Sequence, residues 1–265
     1  MMGRMLQFEK WEGLGNDFVL VDDPTASIDP DVARVLCDRR FGIGADGVLV
    51  VDRQGPLPRM IVWNADGSRP EMCGNGLRCV AGHLAAGGAA AESALTVITD
   101  AGEKACAVTT TSTDRFDVTV EMGAARSRGE LAFLVDGREH RFLDVDVGNP
   151  HAITFADYDE AAIAHVGPAV AVAPKGGTNV EFCRVEAERI VVIVWERGVG
   201  RTLACGTGAC AVAAAACDTG RASFSVPIRV ALPGGELTIT VTAGTRELRM
   251  RGPARRVFTG EVVLA

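Results

Sequence analysis

The stretch CGNGLRCVAGHLA at residues 73–85 is echoed within the chain by CGTGACAVAAAA at 205–216, and this limits the possible folds more than any other feature. A second pair keeps the same spacing, since GLGNDFVLVDD around Asn16 returns as DVGNPHAITFAD around Asn149. Asn16 lies 133 positions before Asn149, and Cys73 lies 132 before Cys205. In each half a Gly-Asn turn running into a strand precedes a Cys-Gly-x-Gly turn by 57 or 56 residues. Self-similarity at one long period marks a repeated structural unit. The chain therefore reads as a duplicated domain.

Local patterning fills in each copy. Alternating, β-branched segments at 17–22, 47–52, 59–64, 94–100, 116–122, 138–147, 189–195, 224–230, 236–241 and 255–264 read as strands broken by Gly, Asp and Pro. Helices are expected over 75–87 and 207–219, each opened by a glycine-bearing turn, and over 30–39 after Pro30. The first two are rich in Ala and almost uncharged, so water suits no face of them and each sheet is expected to wrap around one buried helix. The fold class is α/β (α+β), with two pseudo-symmetric units, each a barrel-like sheet around a central helix. Residues 1–118 with 255–265 form the expected N-terminal unit carrying Cys73, and 119–254 the C-terminal unit carrying Cys205. The active site is expected in the cleft between them.

Composition narrows the function. With 265 residues and 48% hydrophobic content the chain supports a real core. A net charge of −7 argues against a nucleic-acid partner. No apolar run is long enough to span a membrane, and the start MMGRMLQFEKWEGLGNDF lacks the apolar core of a leader, so a cytoplasmic location is expected. The eight cysteines are spread through a large core-forming chain, as buried free thiols would be. Their spacing does not match zinc pairs, and no metal is expected. Cys37, Cys79, Cys106, Cys183, Cys210 and Cys217 are assigned to packing.

A cysteine placed just before a helix meets the positive end of the helix dipole and unpaired N–H groups, which favours thiolate. The amides of Gly74, Asn75, Gly206 and Thr207 suit a carboxylate. Two such thiols flanking one carboxylate suggest proton removal at the adjacent α-carbon by one sulfur and delivery from the opposite face by the other. That is racemisation or epimerisation. Lys10, Lys104 and Lys175 offer no compelling Schiff-base context, so a cofactor-free route is preferred.

Seven stretches, GLGNDF (13–18), FGIGADG (41–47), NADGS (64–68), CGNGLRC (73–79), GNPH (148–151), GTNVEF (177–182) and WERGVGRTLACGTGAC (195–210), resemble the diaminopimelate epimerase family in order and spacing. The resemblance implies a cofactor-independent enzyme interconverting LL- and meso-diaminopimelate, a small diamino-dicarboxylate, in lysine and cell-wall precursor synthesis, and a homodimer. Cys73 and Cys205 match the family's two thiol acid/bases. Asn16, Asn64, Asn149, Asn179 and Arg197 match its substrate-holding side chains, and His151 and Glu196 match groups that support proton transfer, Glu196 also suiting an ammonium. The chain departs from the pattern at Trp11-Glu12, Gly47 and Ala152. Two alternatives stay open, a racemase of the same fold acting on another amino acid such as histidine, and a thiol redox or metal-binding module.

Overall fold

The computed structural model describes residues 4–22, 28–70, 72–88 and 92–264. The chain divides into two compact units, Met1–Val120 with Gly252–Ala265, and Glu121–Arg251.

Unit 1 contains β1 (Arg4–Gly13), β2 (Asn16–Val21), α1 (Pro30–Cys37), β3 (Gly47–Asp52), β4 (Arg59–Asn64), α2 (Gly74–Ala86), β5 (Glu92–Thr99) and β6 (Gly102–Ser112). The chain leaves unit 1 within β7 (Arg115–Ala124). Unit 2 continues with β8 (Arg126–Val135), β9 (Arg138–Asp146), β10 (Pro150–Thr154), α3 (Glu160–Val172), β11 (Asn179–Val185) and β12 (Ile190–Glu196). It is completed by β13 (Gly200–Arg201), α4 (Gly206–Asp218), β14 (Ile228–Leu232) and β15 (Gly235–Val241), and the chain returns to unit 1 within β16 (Glu247–Leu264).

Both units follow one pairing recipe. In unit 1, β1 pairs antiparallel with the end of β16 and with β2, β2 runs parallel to β3, β3 antiparallel to β4, β4 parallel to β5, and β5, β6 and β7 are antiparallel. β7 returns to β16 and closes a ring of eight strands. In unit 2, β8, β9 and β10 are antiparallel, β10 runs parallel to β11, β11 antiparallel to β12, β12 parallel to β14, and β14, β15 and β16 are antiparallel. The duplication read from two short motifs thus extends strand by strand.

Each unit wraps its sheet around one helix and carries a second helix on the outside. α2 touches β1 through β6, and α4 touches β9, β10, β11, β14 and β15. Both are buried along nearly their whole length. Small residues make that possible, since a Cβ at Gly82 would stand only 3.0 Å from the Trp11 ring and 3.2 Å from Phe116. Removing a side chain such as Leu77 from water there contributes about 2 kcal/mol. α1 packs outside against Leu6, Phe8, Val19 and Val48. Its start is fixed by Asp29, whose carboxylate accepts the Asp31 and Val32 amides, and by Pro30 in the first turn.

Several local readings are corrected. α3 was not anticipated, because Gly167 and Pro168 inside it look like helix breakers; Gly167 instead lets the Trp195 ring lie 3.2 Å from where a Cβ would be. The strand expected from Phe224 starts only at Ile228, beyond Pro227, which has no amide to donate. α1 ends at Cys37, two residues early, and the capping Asp38 is extended. β1, β6, β8 and β11 lie outside the segments read as strands, whereas β10 is the strand expected after the Gly148-Asn149 turn.

Candidate functional site

In unit 1 the Cys73 backbone is extended and its sulfur caps α2, accepting the Gly76 amide at 3.4 Å. A thiol here takes the place that a Ser or Asp oxygen holds at most helix starts. The half-buried thiol donates to Asn16 Oδ1 at 4.0 Å, and the same oxygen accepts from Asn75 Nδ2 at 3.3 Å. Asn16 is held from its other end, where Nδ2 donates to Asp46 at 2.8 Å. Asp46 and Asp17 are both bound by Arg39, so Asn16 is anchored outside the turn. Asn75 Oδ1 accepts from Arg78 Nη2 at 3.0 Å, and the fully buried Arg78 also donates to the Pro253 carbonyl at 3.1 Å. Cys73, Gly74, Asn75 and Asn16 therefore form one cluster. Beneath them lies Leu49, whose Cδ2 is 2.8 Å from where a Cβ at Gly76 would stand.

Unit 2 repeats the turn with other chemistry around it. The Cys205 sulfur caps α4, accepting the Gly208 amide at 3.3 Å, and lies 3.5 Å from the Thr207 hydroxyl. Asn149 Nδ2 donates to that hydroxyl at 3.4 Å, and Asn149 Oδ1 is 3.0 Å from His151 Nε2. His151 Nδ1 is 2.7 Å from Glu181 Oε1, with both side chains fully buried. A Cβ at Gly208 would stand 2.7 Å from that carboxylate oxygen, so the glycine lets α4 start directly above it. Cys205, Gly206, Thr207, Asn149 and His151 form the second cluster. Glu181 belongs to it too, although nothing in the sequence reading had picked it out.

The expectation that a helix start favours thiolate does not hold for Cys205. Burial pushes its thiol well above the ordinary value, and the carboxylates of Glu196 and Glu181 push the same way. The Thr207 hydroxyl and the Gly208 amide oppose them without prevailing. Glu196 accepts from Thr202 Oγ1 at 2.6 Å. Next to it, the Arg197 backbone amide donates to Asn179 Oδ1 at 3.0 Å, and its guanidinium donates to the Gly176 carbonyl at 3.0 Å. Asn179 Nδ2 donates in turn to the Pro150 carbonyl at 3.1 Å, tying Arg197 to the strand that carries His151. In unit 1 Asn64 ends β4 with its amide on Ser68 Oγ at 2.8 Å.

The remaining cysteines are buried. Burial pushes Cys37 and Cys217 up to about 11 and Cys106 up to about 12, and it raises Cys79 and Cys183 as well. Among the described residues, no three His, Cys, Asp or Glu side chains gather into a group able to hold a metal ion. Nor, among the described residues, is any helix long and apolar enough to cross a membrane.

The family model described as diaminopimelate epimerase matches residues 8–127 and 144–257. The chain is 43% identical over 281 residues to the diaminopimelate epimerase of Desulforudis audaxviator, covering 98% of this chain and 100% of that one. It is 40% identical over 280 residues to that of Synechocystis, covering 97% and 98%. Among solved structures, a hydroxyproline epimerase from Agrobacterium vitis superposes with a TM-score of 0.72 at 16% identity, over 99% of this chain and 92% of that one. A phenazine biosynthesis protein from Bacillus anthracis gives 0.74 at 12% identity, over 98% and 100%. These two share the fold.

Proposed function

The chain belongs to the diaminopimelate epimerase family, and from that premise we propose that it interconverts LL- and meso-diaminopimelate with Cys73 and Cys205 as the two acid/bases. The observation that carries this reading is the recurrence, in both units, of a cysteine sulfur capping the buried central helix of its sheet.

One thiolate takes the α-proton on one face, and the other thiol gives a proton to the opposite face. The α-carbon inverts, and the two sulfurs exchange protonation states. Negative charge that develops on the substrate carboxylate is stabilised by the first-turn amides of Gly74, Asn75, Gly206 and Thr207. The chemistry uses only groups of the chain, so no cofactor enters the scheme. His151 and Glu196 support proton transfer on the Cys205 side. Asn16, Asn64, Asn149, Asn179 and Thr207 hold the substrate, Glu196 takes an ammonium, and Arg197 grips a carboxylate in the bidentate way its fork allows.

The reaction belongs to lysine and cell-wall precursor synthesis in the cytoplasm. Two copies associate, consistent with apolar surface exposed on β1 and β16 at Met5, Phe258 and Val263. Light scattering reads this directly, and a monomer at micromolar concentration would remove the dimer.

Purified protein incubated with LL-diaminopimelate in deuterated water, with a chelator present, is expected to give meso product carrying deuterium at the inverted α-carbon. Activity lost to the chelator would overturn the metal-free scheme. Equal turnover of histidine or proline would move the assignment to a racemase of another amino acid.

A further inference from the structure

The parallel strand pairs β2/β3 and β10/β11 set the two Cys turns on matching supports, so the halves can be compared residue by residue. Phe18 pairs with Gly47 and Leu20 with Leu49, where His151 pairs with Asn179 and Ile153 with Glu181. Leu49 and Glu181 also meet the same glycine of the helix start, at 2.8 Å from a Cβ on Gly76 and 2.7 Å from one on Gly208. Where unit 1 has Phe18 and Leu49, unit 2 therefore has His151 and Glu181.

The fold does not need polar groups at these two places, because unit 1 fills both with apolar side chains. Burying an imidazole and a carboxyl is unfavourable compared with an apolar pair of similar size. The two polar residues call for a reason outside stability, and their hydrogen bonds supply one. An amide oxygen only accepts, so the 3.0 Å contact to Asn149 Oδ1 requires a hydrogen on His151 Nε2. The 2.7 Å contact between His151 Nδ1 and Glu181 Oε1 requires a second proton between those atoms. Imidazole and carboxyl together hold two protons, and neither can turn without losing a bond. Among the described residues the other, buried carboxyl oxygen of Glu181 has no hydrogen-bond partner, so the group is held through the first oxygen.

We propose that Glu181 is a positioning residue of the Cys205 half, acting through His151 to fix the Asn149 amide with its nitrogen toward Thr207 and the Cys205 sulfur. Without Glu181 the ring is free to take the other tautomer, in which Nε2 accepts. Asn149 then turns over and presents its oxygen to Thr207. The Thr207 hydroxyl must donate to that oxygen, and its hydrogen is no longer available to Cys205. The titratable groups around Glu181 and the Cys205 sulfur are His151 on β10, Cys183 beside Glu181 on its own strand, and Glu196 on β12, which faces Cys205.

This inference rests on the two-thiol reading, and its test has one arm that needs no substrate. In Glu181→Gln, kcat/KM for LL-diaminopimelate is expected to fall at least tenfold. The pH profile of Cys205 alkylation by iodoacetamide, followed by peptide mass spectrometry, is expected to move to higher pH as the sulfur loses the Thr207 hydrogen, while that of Cys73 stays in place as the internal reference. The double variant His151→Phe with Glu181→Leu carries the unit 1 pair and is expected to fold with the circular dichroism of the parent, again with at least a tenfold loss. Catalysis within twofold of the parent in Glu181→Gln would overturn the proposal. So would a loss of rate with an unmoved Cys205 profile, which marks a merely structural role. If the parent protein fails to turn over diaminopimelate, the functional reading falls, while the alkylation arm still decides whether Glu181 controls Cys205.

Discussion

The turns at Cys73 and Cys205 share a backbone and differ in what surrounds it. Both sulfurs cap an inner helix, both accept the amide three residues on, and both rest above a parallel strand pair. In unit 1 the turn sits on Leu49 and is braced by Asn16, Asn75 and the buried cation Arg78. In unit 2 it sits on Glu181 and is braced by Thr207, Asn149 and His151, with the buried Cys210 at the place of Arg78. Duplication supplied two equivalent places for a sulfur, and divergence of the second layer made the sulfurs unlike.

The largest effect expected from breaking this comparison comes at the sulfurs. Cys73→Ala and Cys205→Ala should each lower epimerisation at least about a thousandfold, in the range of positioned acid/base groups, with the fold intact. Meso product formation reads this, and a loss of only a few fold in either variant would end the two-thiol scheme.

Importing the unit 2 acid into unit 1 is expected to be the next most damaging change. Leu49→Glu buries a carboxyl with no histidine beside it, at Phe18, and should destabilise the protein by about 3 kcal/mol or more. Replacing both members of the unit 2 pair by Phe and Leu should cost less than about 1 kcal/mol, since no buried polar partner is left behind. Denaturant midpoints compare the two, and equal losses would show that the supports are not interchangeable.

A third contrast lies in the glycines above those supports. Gly208→Ala drives a methyl group against an oxygen pinned by His151, and it should destabilise by about 1–3 kcal/mol. Gly76→Ala meets the end of the Leu49 side chain, which can swing aside, and should cost less. Thermal unfolding of the two variants gives the order, and the reverse order would contradict the pinned carboxylate.

The smallest effect concerns the far end of α2, where His83 has no polar counterpart, because Ala215 stands at its place in α4. Burial alone would lower the His83 pKa, but hydrogen bonds to Glu9 at 2.8 Å and Asp22 at 2.9 Å raise it above the ordinary value. A raised histidine contributes stability that is complete below its unfolded value, about 6.5, and is lost as pH rises through the folded one. Glu9 and Asp22 are lowered despite burial, so their contribution is present above the ordinary carboxylate range and is lost as pH falls through their folded values. His83→Ala should therefore lower the Tm at pH 6 by an amount worth about 1 kcal/mol and should lower it less at pH 9. An equal loss at both pH values would remove the charge from the explanation.

The doubled turns were legible because a sulfur cap followed by a close approach to a neighbouring strand allows few residues, and Cys-Gly-x-Gly writes that demand twice. The two inner helices were legible for a related reason, since only a helix buried on all sides is so poor in charge. β8 was not legible, because most of its side chains face water and alternation gives no signal. Glu181 was missed because a glutamate between Val180 and Phe182 reads as the solvent face of a strand. Its burial comes from α4 starting directly above it, which no local pattern records. Laying the halves side by side would have exposed it as a charge where the other copy has Leu49.

β16 belongs to both units, and this sets an order on folding during synthesis. Unit 2 is one continuous stretch, Glu121–Arg251, and all its strand partners have been made by the time residue 251 is added. Unit 1 has its first 120 residues long before that, yet its ring lacks one stave until residues 252–264 arrive and pair with β1, joining Gln7 to Glu261 across 254 positions. The half synthesised first is thus the half completed last. Until then β1 and β7 keep unpaired edges, so the nascent chain is most exposed to wrong strand pairing in the segment that has been outside the ribosome longest.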